Sequence, residues 1–142
     1  MKLAELIKGK GFEVIAVDGG TTLADAIKKM VERNIGAILV VNDGKPDGIF
    51  TERDVLKQWV ATTDPNLTPI RAVMTTNLIV ADVEDELEYA MSIMIQKGVR
   101  HLPVVEKGKL VSVLSMRDVV KVQVKNLQAE VHYLKDFIDD IG

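Results

Sequence analysis

Shifting the chain by 64 residues lays positions 17–57 on positions 81–121 without a gap, and 12 of the 41 pairs are identical. Composition alone would give about three. The identities include Leu23 with Leu87, Ala26 with Ala90, Met30 with Met94, Val40 and Val41 with Val104 and Val105, and Gly44-Lys45 with Gly108-Lys109. Arg53-Asp54-Val55 falls on Arg117-Asp118-Val119. One supersecondary unit often cannot bury its apolar face alone, whereas two copies close a core together. The repeat therefore predicts a pseudo-twofold pair of α/β units.

Each copy runs through the same elements. "EVIAV" alternates as a strand, and Thr21 or Thr22 caps a helix carrying Leu23, Ala26, Ile27, Met30 and Val31 at helical spacing, stopped at Asn34. "AILVV" is a buried strand, "NDGK" a tight turn, "DGIF" the second strand of a hairpin, and Thr51 opens another helix. The second copy repeats this as "LIV", a helix over about 85–97, "HLPVV", the turn "EKGK", "LVSVL" and a helix from Ser115. The polar "ATTDPNLTP" reads as a linker. The division is then a first unit with an N-terminal helix at 1–61, a linker at 62–70, a second unit at 71–121 and a helical extension at 122–142.

Both hairpins end in a hydroxyl residue, then an arginine and an aspartate, as "GIFTERD" and "SVLSMRD". Thr51-x-x-Asp54 and Ser115-x-x-Asp118 fit a capping box, in which the hydroxyl accepts from a backbone N–H and the acid reaches back. The same geometry offers a helix N-terminus to an anion and a carboxylate to a sugar diol, a pairing suited to a nucleotide. Spacing does not separate the two uses.

Element order and motifs, including "GVRHLPVV" at one strand entry, resemble a tandem pair of cystathionine beta-synthase (CBS) domains, a Bateman module. The resemblance spans about residues 12–121 and is similar to that of small stand-alone prokaryotic CBS pairs, with a short first helix and an added last one. It implies a regulatory module that binds adenosine-containing ligands (AMP, ADP, ATP, NAD(H) or S-adenosylmethionine) between the two domains, with no required cofactor and no catalysis. Carried onto this chain, Asp54 and Asp118 hold ribose hydroxyls, Thr51 and Ser115 approach ribose or phosphate, and Arg53 and Arg117 meet phosphates. Backbone near Ile15 or Ile79 reads the adenine edge. The resemblance also implies that each aspartate is served by the second-strand entry of the other copy: Val99, Arg100 and His101 for Asp54, and Ile35, Gly36 and Ala37 for Asp118. Two groups suited to phosphate then favour the Asp54 site.

The remaining features point away from other chemistries. A net charge of -3 gives no general attraction to nucleic acid, and the absence of cysteine removes disulfides, thiolate metal sites and cysteine nucleophiles. That suits the cytoplasm, as does a charged N-terminus unlike a signal peptide, and no run reaches the roughly 18 apolar residues of a membrane span. The acids of "ADVEDELE" are favoured by a helix dipole, and His132 lacks the partners zinc requires. No phosphate loop or catalytic triad order is present.

The last helix carries Val120, Val124, Leu127, Val131, Leu134, Ile138 and Ile141 at alternating spacings of 4 and 3. This seam either folds back on its own unit or meets a second subunit, and it leads to the expectation of a homodimer. The rival to ligand sensing is a dimerisation scaffold with empty clefts, in which the hydroxyl-aspartate boxes are caps alone.

Overall fold

A computed structural model describes residues 1–8 and 14–141, with side chains through residue 139. The elements are α1 (Leu3–Lys8), β1 (Ala16–Asp18), α2 (Leu23–Arg33), β2 (Ala37–Asn42), β3 (Lys45–Thr51), α3 (Glu52–Val60), β4 (Ala81–Asp82), α4 (Leu87–Lys97), β5 (His101–Glu106), β6 (Lys109–Ser115) and α5 (Met116–Ile141). Two three-stranded sheets result, ordered β1-β2-β3 and β4-β5-β6. In each, the first pair is parallel and the second is an antiparallel hairpin. The mixed α/β architecture is the repeat the sequence implied.

Local chemistry places these elements. Thr22 caps α2 by accepting from the Asp25 N–H at 3.2 Å, and Asn34 ends the helix in the left-handed region at φ 52°. Asp43 and Gly44 both take positive φ, 52° and 77°, as do Lys107 and Gly108 at 51° and 78°. Two consecutive left-handed residues make the turn whose twist matches a hairpin, and glycine at the second is free of the Cβ penalty. Register slips after Val40 and again after Val104, so the irregularity is itself repeated.

The two halves bury separate apolar clusters. Leu23, Ala26, Met30, Ile38, Val40, Phe50 and Ile70 form one, and Leu87, Ala90, Met94, Leu102, Val104, Leu114 and Val119 lie in the other. α1 packs with the second half: Leu3 and Leu6 are buried there, the Lys2 ammonium meets Glu84 at 2.8 Å, and the chain amino group meets Glu86 at 3.1 Å. The short helix that precedes the first repeat thus closes the core of the second.

Two expectations shift. "LIV" is not the first strand of the second half; β4 is Ala81–Asp82, paired with Val104 and Val105. The last helix does not fold back. α5 is continuous for 26 residues, its start fixed by buried Val119, and residues 124–139 are all exposed.

Candidate functional site

Each hairpin delivers its hydroxyl residue at the end of a strand, where backbone direction changes into a helix. The Thr51 N–H and hydroxyl donate to Asp54 Oδ2 at 3.0 and 3.1 Å, and the Asp54 N–H donates to Thr51 Oγ1 at 3.4 Å. The Ser115 N–H and hydroxyl donate to Asp118 Oδ2 at 3.2 and 2.8 Å, and the Asp118 N–H returns a bond to Ser115 Oγ at 3.1 Å. Both boxes are therefore capped. A carboxylate has about four acceptor positions, so a capping role leaves room for a ligand hydroxyl. The two differ in burial: Asp54 is 9% exposed, whereas Asp118 is half-buried.

At the second box the two halves enclose a cleft of about 580 Å³, within the range of small-molecule sites. Val14 and Ile15 wall one side ahead of β1, Ile35, Gly36 and Ala37 enter with β2, and Ser115, Met116 and Arg117 bring the start of α5. Arg100 and His101 also line it. Their presence follows from strand pairing, because His101 lies opposite Ser115 in the β5–β6 register.

Of the residues singled out from the sequence, Ile15, Arg100, His101, Ser115 and Arg117 share this cleft; Asp118 is bonded to Ser115 but is not itself a lining residue. Thr51, Arg53, Asp54, Ile79 and Val99 are not among its lining residues. The Arg100 and His101 side chains, assigned by resemblance to the Asp54 half, thus line the cleft of the Asp118 half. Beside β3 the segment at 73–75 takes up space: Ile49 and Thr75 exchange backbone bonds at 3.0 and 2.9 Å, and Met74 lies over Gly48 so closely that an added Cβ would sit 2.3 Å from its Sδ. The counterpart segment by repeat falls at residues 9–13, outside the described residues.

Charged groups of both halves meet at this cleft. Glu52, absent from the sequence-based candidates, stands where the second half has Met116, and its carboxylate lies 3.3 Å from where a Cβ on Gly36 would be. The signal was legible in the repeat alignment as an acid against an apolar residue one step after the hydroxyl. Burial pushes the His101 imidazole below its ordinary value of 6.5, Arg100 adds to that shift, and Asp118 and Glu52 oppose it. Arg100, Arg117 and His101 thus face one cleft, and the Glu52 carboxylate stands against Gly36, a residue of the same cleft, close enough to act on His101. Asn34, Leu39 and Val113, also unmarked in the sequence, complete the lining with apolar surface and one amide.

Among the described residues no group of three or more His, Cys, Asp or Glu side chains is arranged to hold a metal ion. No described helix is long and apolar enough to cross a membrane.

Comparison with known proteins adds to this geometry. Residues 10–61 and 70–125 each match the CBS domain family. YhcV of Bacillus subtilis, a CBS domain-containing protein, is 32% identical over 117 residues, spanning 82% of this chain and 84% of its own. The crystal structure of the CBS domain protein NE2398 superposes with a TM-score of 0.80 at 33% identity, over 87% of this chain and 98% of its own. CBSX2, solved in complex with AMP, shares the fold at a TM-score of 0.72 and 21% identity, over 87% of this chain and 96% of its own.

Proposed function

Because this chain belongs to the CBS domain family as a tandem pair, we propose that it is a regulatory module that binds an adenine nucleotide, AMP, ADP, ATP or NAD(H), in the Ser115–Asp118 cleft. The observation that carries the reading is the cleft in which a helix N-terminus, an apolar wall at Val14 and Ile15, and the cations Arg100 and Arg117 converge. The adenine lies against the apolar wall with its edge on backbone near Ile15. Asp118 takes ribose hydroxyls, and Ser115, the α5 N-terminus, Arg100, His101 and Arg117 receive phosphate. The AMP bound by CBSX2 supports the ligand class. No reaction is assigned to the cleft, and no cofactor is required.

The Thr51–Asp54 half, with Arg53, Ile79 and Val99, is the subordinate site in this proposal. Its carboxylate is more buried, and the 73–75 segment runs along its strand. A ligand that binds one relative placement of the halves better than another transmits its occupancy by shifting that equilibrium. The protein acts as a cytoplasmic homodimer in this reading. Exposed Val31, Leu56, Trp59 and Val60 on α2 and α3 supply an apolar face that a second subunit would cover.

Thermal melting with a panel of nucleotides tests the binding claim. A ligand specific for the native state adds RT ln(1 + [L]/Kd), about 2.7 kcal/mol at a hundredfold excess over Kd. Adenine nucleotides should raise the midpoint and guanine nucleotides should do much less. Midpoints unmoved by millimolar AMP, ADP, ATP and NAD would favour the scaffold, with both hydroxyl-aspartate boxes acting only as caps.

A further inference from the structure

The exposed half of α5 has a specific form. Beyond Gln123 every described side chain of the helix is exposed, so a rod of roughly 27 Å projects from the second half. An isolated helix of this length is marginal in water without tertiary packing. Yet its seam is apolar: Val124, Leu127, Val131, Leu134 and Ile138 are 46%, 58%, 63%, 49% and 62% exposed.

We propose that the occupant of this seam is α5 of a second copy, running parallel and in register as a two-stranded coiled coil. The proposal rests on the homodimer reading and deepens it. In heptad terms the a positions are Val124, Val131 and Ile138, and the d positions are Val120, Leu127, Leu134 and Ile141. β-Branched residues at a with leucine at the central d positions favour two parallel strands. The flanks agree. In a parallel pair a g residue meets the e residue five positions on in the other chain, which sets Glu130 against Lys135 twice, once on each side. Antiparallel registers that keep the seams in contact give Glu130 no cation, placing it against Glu130 or Phe137 of the other chain. The seam continues from Val120, which is exposed beside core residue Val119, so the coil grows directly out of the folded body.

Disulfide mapping in the full chain tests orientation, because the native sequence has no cysteine to interfere. Val124→Cys and Ile138→Cys should each oxidise to a covalent dimer, since a parallel in-register coil places each beside its own copy. An antiparallel coil would crosslink neither alone and would overturn the proposal. Leu134→Glu should weaken the dimer at least a hundredfold by sedimentation while leaving the monomer folded. Glu130→Lys should weaken it about fivefold, and Glu130→Lys with Lys135→Glu should restore it. A dimer of undiminished strength in Leu134→Glu places the interface on the body and sinks the coiled coil alone. A full chain that stays monomeric at high micromolar concentration sinks the homodimer reading as well.

Discussion

His101 shows how one side chain ties the cleft to pH. Its folded-state pKa is lowered, chiefly by burial and then by Arg100, so as pH falls through 6.5 the unfolded chain takes up the proton first. Its contribution to stability is therefore whole above 6.5 and is lost as pH falls through the folded value. A phosphate set between Arg100 and His101 reverses the local charge and raises that pKa. AMP binding just below pH 6.5 should then draw protons from solution, measured as a dependence of calorimetric heat on buffer ionisation enthalpy. His101→Asn should lower the uptake, and an unchanged uptake would place the phosphate away from the imidazole. Ser112 gives a second residue-scale outcome. Its hydroxyl is fully buried on β6 with no hydrogen-bond partner among the described residues. Ser112→Ala removes a desolvated hydroxyl and should stabilise by about 1 kcal/mol, or roughly 2–4 °C in midpoint. A fall in midpoint would show that the hydroxyl is satisfied after all.

Among the elements, those whose own residues set them were legible. The helices α2 and α4 follow from Leu, Ala and Met at positions shared by both copies, and both turns follow from Gly44 and Gly108 at matching places. β4 was misplaced because its identity comes from pairing: "LIV" has the β-branched composition, but Ala81 and Asp82 are the residues that meet Val104 and Val105. The presence of Arg100 and His101 in the Ser115 cleft was not legible for the same kind of reason. Strand register sets His101 across from Ser115 within its own half, so a residue that enters from one copy lines the cleft of its own box. The caps were legible as spacing, and their double use was not, since a bonded Asp118 looks alike in either role. At this scale Ser115→Ala should cost about 1 kcal/mol by loss of the α5 cap, and Thr51→Ala a similar amount at α3. Chemical denaturation of both variants checks this. A cost several times larger at one position would mean that the hydroxyl does more there than cap a helix.

Across the whole molecule, a near-exact repeat of elements carries an unequal pair of environments. Arg100, His101 and Arg117 line the cleft at one box, whereas the other box has the more buried carboxylate and the 73–75 segment along its strand, so a ligand with phosphate distinguishes two halves that share their backbone plan. That inequality is the central claim, and matched substitutions isolate it. Asp118→Ala and Asp54→Ala remove equivalent capping carboxylates, so each serves as the control for the other's loss of helix stability. The most direct measurement is calorimetric titration of AMP into the two variants and the parent protein, each verified as folded by melting. Loss of a charged hydrogen-bond acceptor costs roughly 1.5–3 kcal/mol, about ten- to a hundredfold in affinity. The account predicts that loss for the tightest binding event in Asp118→Ala and little change in Asp54→Ala. A tight event that survives Asp118→Ala and disappears in Asp54→Ala would contradict it.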